Sequence, residues 1–95
     1  MADYQIVCVV RDEAGDIEAV GYSPYGGSDR YDGIWTVEEA CYAIEQGHRL
    51  YTVSPSNDAE ADLECYQAEG QQRIRTKPDQ TTDNNLDSLP ECEVG

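Results

Sequence analysis

The chain has 95 residues, with 20 Asp or Glu against six Lys or Arg, for a formal net charge of −14. That length allows one domain with one modest core. A surface this acidic repels anionic lipid and, at range, phosphate. The N-terminal Met-Ala-Asp-Tyr has neither a basic region nor an apolar stretch, so no signal peptide is expected. No apolar run approaches the ~18 residues that a membrane span needs.

Acidity of this degree arises either in a disordered chain or on the surface of a folded one. Tyr4-Gln5-Ile6-Val7-Cys8-Val9-Val10, seven Tyr and one Trp point to folding, and the single Lys, Lys77, points to a salt-adapted protein. For a sphere of radius ~16 Å, the charging energy is about 10 kcal/mol at 0.1 M salt and about 4 kcal/mol at 1 M. The change is comparable to the ~5–15 kcal/mol that stabilises a domain, even after allowance for charge on the unfolded chain. A salt-dependent fold is therefore expected, in a cytoplasmic setting.

In chain order, residues 4–11 predict a strand, 12–16 (Asp-Glu-Ala-Gly-Asp) a turn and 17–22 a second strand, together a hairpin. Residues 23–33, with Pro24, Gly26, Gly27 and Gly33, read as a loop. A helix is predicted over 36–46. Thr36 stands at the N-cap with Glu39 three residues on, completing a capping box, and Trp35 and Ala40 occupy the staple positions. Val37, Ala40, Cys41 and Ile44 make one apolar face, Glu38 and Glu39 suit the positive end of the helix dipole, and Gly47 stops the helix. Strands follow at 49–54, 61–67 and 72–77, separated by a polar loop at 55–60 and a turn at Glu69-Gly70-Gln71. The expected fold class is α+β, in the order ββαβββ, with a mainly antiparallel sheet and one helix on one face. Residues 1–77 form the compact domain. Residues 78–95 form an irregular acidic tail, either solvated or docked through a short turn at Leu86 and Leu89.

Two stretches carry a resemblance: Gly33-Ile34-Trp35-Thr36-Val37-Glu38-Glu39-Ala40 with Ile44-Glu45-Gln46-Gly47 and Tyr51-Thr52, and the ending Asp83-Asn84-Asn85-Leu86-Asp87-Ser88-Leu89-Pro90-Glu91-Cys92. In these the chain resembles a small domain family abundant in haloarchaea, catalogued as domain of unknown function 3892. The resemblance spans nearly the whole chain and implies a single salt-adapted domain with a docked tail. It implies no activity, cofactor or catalytic residue.

The residues themselves offer four chemistries. Cys8, Cys41, Cys65 and Cys92 lie 33, 24 and 27 residues apart, with no close chelating pair. Cys8, Cys41 and Cys65 fall in phase with apolar faces and are expected to be buried, reduced thiols. The alternatives are a disulfide or a zinc site completed by Cys92 and His48. Thiol catalysis would need a base, and the one histidine, His48, sits where it would cap the helix's last carbonyls. No catalytic residue, metal or cofactor is therefore expected, and the chain is not expected to be an enzyme. Tyr25-Gly26-Gly27 lacks phosphate-loop spacing.

The fourth is a sheet face. Arg73, Arg75 and Lys77 alternate on one strand, and Tyr22, Tyr51 and Tyr66 are predicted on the side of the sheet away from the helix. Val7, Val9, Val20 and Val53 would join them in an apolar patch of the kind that marks interfaces. The expected function is therefore a protein-interaction module, binding an unknown partner or itself through Tyr22, Tyr51, Tyr66, Arg73, Arg75, Leu86 and Leu89. Single-stranded nucleic acid, stacked on the tyrosines, is the alternative. It is disfavoured by the net charge and by Asp62 and Glu64, which would face Arg73 and Arg75 across the strands. No membrane contact is expected.

Overall fold

The computed structural model describes residues 2–23, 31–53, 59–77, 86 and 89–92. The glycine-containing loop at 24–30, the polar loop at 54–58 and the start of the tail at 78–85 lie outside the described residues. Among the described residues, six strands and one helix follow in the order β1 (Asp3–Arg11), β2 (Ile17–Ser23), β3 (Gly33–Thr36), α1 (Val37–Glu45), β4 (Arg49–Val53), β5 (Glu60–Ala68) and β6 (Gln71–Thr76). They make one six-stranded sheet, ordered β3-β2-β1-β4-β5-β6. The fold class is α+β, but two expectations are corrected. The order is βββαβββ and not ββαβββ, because Gly33–Thr36, between the loop expected at 23–33 and the helix expected from 36, forms strand β3. The sheet is mixed, because β1 pairs in parallel with β4 through Asp3↔Arg49, Tyr4↔Leu50 and Gln5↔Tyr51.

The two corrections share one cause. β3 pairs antiparallel with β2, and β2 antiparallel with β1, so β3 and β4 run the same way. α1 is the crossover between them, and a helix that returns the chain to a sheet in this manner leaves parallel strands on either side of it. The helix itself forms where local chemistry demands. Thr36 Oγ1 accepts from the Glu39 amide at 3.2 Å, and Glu39 Oε1 accepts from the Thr36 amide at 3.0 Å, the full capping box. At the other end Gly47, at φ 95°, donates to the Ile44 carbonyl, and the His48 amide donates to that of Ala43. This is a Schellman closure, in which a left-handed residue is needed and glycine has no Cβ to oppose it.

A bulge in β1 sets which residues meet the helix. The register against β2 shifts between Ile6↔Tyr22 and Cys8↔Gly21, so the alternation of side chains reverses there. Ile6 and Val9 both reach the helix-side core, fully buried, while Cys8 turns to the other face. Val9 and Val20 therefore do not belong to an exposed patch. They pack with Val37, Ala40, Cys41, Leu50, Leu63 and Ile74.

The described tail residues Leu86 and Leu89 belong to this core. Leu86 is 1% exposed and Leu89 8%. Thr76 Oγ1 accepts from the Leu86 amide at 2.9 Å, which satisfies a buried donor. The Leu89 amide donates to the Leu86 carbonyl at 3.3 Å. Beyond it, Val9 donates to Pro90 at 3.0 Å and accepts from Cys92 at 2.8 Å in a parallel bridge, so the tail pairs with β1 at a level β4 does not reach.

All four cysteines are in disulfides, Cys8–Cys92 and Cys41–Cys65. The expectation of reduced thiols is corrected. Apolar phase shows that a cysteine is buried but not what lies opposite it. Cys41 on α1 faces Cys65 on β5, and the bulge turns Cys8 toward the returning tail. Gly21 is what lets the Cys8–Cys92 bridge lie on the sheet: a Cβ there would collide with Cys8 Sγ and come within 2.9 Å of Cys92 Sγ. Among the described residues, no helix is long and apolar enough to cross a membrane.

Candidate functional site

Strand β3 ends at the cap of α1, so Trp35 is delivered to the corner where strand becomes helix. One turn into α1, Glu38 and Tyr42 stand four residues apart and share a face. The Schellman closure then brings His48 back beside the start of β1, where its Nδ1 accepts from the Ala2 amide at 3.1 Å. The side chain therefore secures the N-terminal strand instead of capping helix carbonyls, as its position in the sequence suggested. These placements enclose a groove of about 420 Å³ lined by Tyr4, Trp35, Glu38, Glu39, Tyr42 and His48.

The groove wall is a braced aromatic cluster. The Tyr22 ring stacks on Trp35 with centroids 4.0 Å apart and planes at 20°. Tyr4 meets Trp35 edge-on at 5.0 Å, Tyr22 at 5.7 Å and His48 at 5.7 Å. Such pairs contribute about 0.5–1.5 kcal/mol each beyond their buried area and hold the rings in place. Tyr42, by contrast, is 63% exposed, the most open large apolar residue among those described. Among the described residues no Lys or Arg lines this groove, and two carboxylates do. Tyr22, expected on the opposite face, lies here because it pairs with Ile6 before the bulge.

The opposite face of the sheet carries the other predicted residues, arranged differently. Arg49 lies over Tyr51 and Arg75 over Tyr66, each guanidinium carbon 4.5 Å from the ring centroid. Arg49 also contacts Asp62 at 2.6 Å and Glu60 at 2.9 Å, and Arg75 contacts Glu64 at 2.7 Å. Arg73 does not face Asp62. It reaches Asp16 in the β1–β2 turn at 3.3 Å, and Asp62 is taken by Arg49. Burial disfavours the Arg49 cation, but hydrogen bonds and attraction from Asp62 and Glu60 outweigh that and raise its pKa. The Tyr51 phenol is pushed up by burial first and by the charge of Glu60 second. Tyr51, Tyr66, Val7 and Val53 are half-buried, and with Val9, Val20 and Tyr22 turned inward there is no broad apolar patch on this face among the described residues. Leu86 and Leu89 are core residues of this chain.

Sequence reasoning missed Tyr4, Trp35 and Tyr42 as a group. The sequence places Trp35 at a staple position and Tyr42 within the predicted 36–46 helix, where nothing singles it out. The signal available was the pairing of Glu38 with Tyr42 at helical spacing beside a tryptophan.

No curated protein and no solved structure matches the chain. The model of a family described as "Protein of unknown function (DUF3892)" matches residues 5–90, and the chain belongs to that family.

Proposed function

We propose that this domain is a non-catalytic binding module for a protein partner and that its contact surface is the aromatic groove of Tyr4, Trp35 and Tyr42. The observation that carries this reading is the exposure of Tyr42 beside rings that are otherwise locked together. A large apolar side chain left in water at the mouth of a preformed groove is a common mark of an interface. A non-catalytic role suits the same residues: the thiols are oxidised, His48 Nδ1 is occupied by Ala2, and Glu39 is held in the helix cap. The opposite sheet face is the weaker candidate for a partner or for nucleic acid, because Arg49, Arg73 and Arg75 are each engaged by a carboxylate.

The test is site-specific photocrosslinking. A photoreactive residue placed at position 42 is expected to yield discrete protein adducts in lysate of the source cells, and one at position 51 is not. Adducts at 51 but not at 42 would return the contact surface to the opposite face.

A further inference from the structure

We infer that the groove recognises an arginine side chain presented by a basic segment of the partner; this rests on the groove being the contact surface. The argument comes from the molecule's own construction. Twice on the opposite face the chain builds a guanidinium seat from one tyrosine ring and at least one carboxylate: Tyr51 with Asp62 and Glu60 for Arg49, and Tyr66 with Glu64 for Arg75. The groove assembles the same parts, the rings of Tyr4, Trp35 and Tyr42 with Glu38 and Glu39, but among the described residues no Lys or Arg lines it.

Charge selects the occupant. Glu38 and Glu39 offset the positive end of the helix dipole, so the groove's mouth is acidic despite lying at a helix N-terminus. The whole chain, at −14, draws cationic partners and repels anionic ones. Arginine fits better than lysine. Its planar guanidinium lies flat on an aromatic ring while its N–H groups reach a carboxylate, and it sheds water more readily. Glu38 offers the carboxylate for that contact, since among the described residues no hydrogen bond or ion pair engages it, whereas Glu39 Oε1 already accepts from Thr36.

The chain's single tryptophan is Trp35, so intrinsic fluorescence reports directly on the groove. The probes are acetyl-Gly-Arg-Gly-amide and its citrulline counterpart, which keeps the shape and loses the charge. The arginine peptide is expected to change Trp35 emission saturably, with the citrulline peptide weaker by about 5-fold or more. Glu38→Gln and Tyr42→Leu, both at exposed positions, are each expected to weaken the arginine peptide about 2- to 5-fold, in line with exposed cation–π and ion-pair energies. Arg75→Gln, on the far face, is expected to leave it unchanged. Circular dichroism melts establish that each variant is folded. Equal binding of the two peptides, with Tyr42→Leu still weakening both, would overturn the arginine inference and leave the groove standing as an interface. No response of Trp35 to the arginine peptide would also overturn the inference, whereas the groove itself falls only if crosslinking at position 42 fails.

Discussion

The two faces of the sheet use the same materials to opposite ends. On the face away from α1, Tyr51 and Tyr66 are covered by Arg49 and Arg75, and each arginine is tied to a carboxylate. On the helix side, Tyr4, Trp35 and Tyr42 stand beside Glu38 and Glu39, and no cation among the described residues joins them. An aromatic ring next to a carboxylate is thus a structural seat where the chain supplies the guanidinium, and a candidate binding seat where it does not. Each face also holds one disulfide. Cys41–Cys65 fastens the helix to the sheet, and Cys8–Cys92 fastens the tail to the other side.

The largest effects should come from those bridges. Cys8–Cys92 joins residues 84 apart and Cys41–Cys65 residues 24 apart. Loop-closure entropy then assigns about 4.5 kcal/mol to the first and about 3.5 kcal/mol to the second. Replacing each pair by serine and measuring urea unfolding should show the larger loss for Cys8→Ser/Cys92→Ser. A larger loss for the helix-side pair would mean that the tail is held mainly by its leucines. Leu86→Ala tests that directly. Its side chain is almost wholly enclosed, so a loss of about 2–5 kcal/mol is expected, with the tail's protection from proteolysis falling alongside.

A change of salt should follow in size. Going from about 0.1 M to 2 M KCl relieves the self-repulsion of the −14 charge, and the thermal midpoint should rise. A flat response would show that the ion pairs lost to screening on the outer face match the repulsion relieved everywhere else. The outer-face seats themselves should be worth little. Arg75 and Glu64 are both partly exposed, and a double-mutant cycle with Arg75→Gln and Glu64→Gln should give a coupling of about 0.2–1 kcal/mol. A coupling well above that range would make this face a rigid structural element and strengthen the contrast with the groove.

The smallest effect is the titration of Tyr51. Its folded-state pKa is raised, by burial and then by Glu60, above the usual value of about 10. A raised pKa means that the folded state holds the proton more tightly. The stabilisation is therefore complete below the unfolded value and is lost as pH rises through the folded one. Stability should fall above about pH 10, and Tyr51→Phe should make that fall shallower. An identical pH profile for Tyr51→Phe would show that another group dominates there.

How much of this was legible in the sequence depends on the range of the interaction. The capping box of Thr36 and Glu39, the stop at Gly47 and the hairpin around Asp12 to Asp16 are contacts within a few residues, and each was readable in order. The Asp12 carboxylate accepts from the Ala14 and Asp16 amides as a turn-forming aspartate does. Strand β3 is four residues long and abuts the helix cap, which leaves too little alternation to announce itself. Without it, the crossover through α1 and the parallel pairing of β1 with β4 were hidden. The groove was hidden for the same reason, since Trp35 occupies the one corner that β3 creates.

The sequence by itself determined the acidic surface, the helix with both of its ends, and the other five strands, because composition and short-range hydrogen bonding are written in consecutive residues. Only the tertiary structure decided which way those strands face. The bulge at Val7 reverses the alternation of β1, sending Val9 to the core and Cys8 to the far face. From that reversal follow the Cys8–Cys92 bridge, the need for glycine at 21 and the inward turn of Val9, which was expected outside. A strand's pattern specifies that its faces differ. Which face meets the helix is settled by partners many residues away, and here the last of them is Cys92.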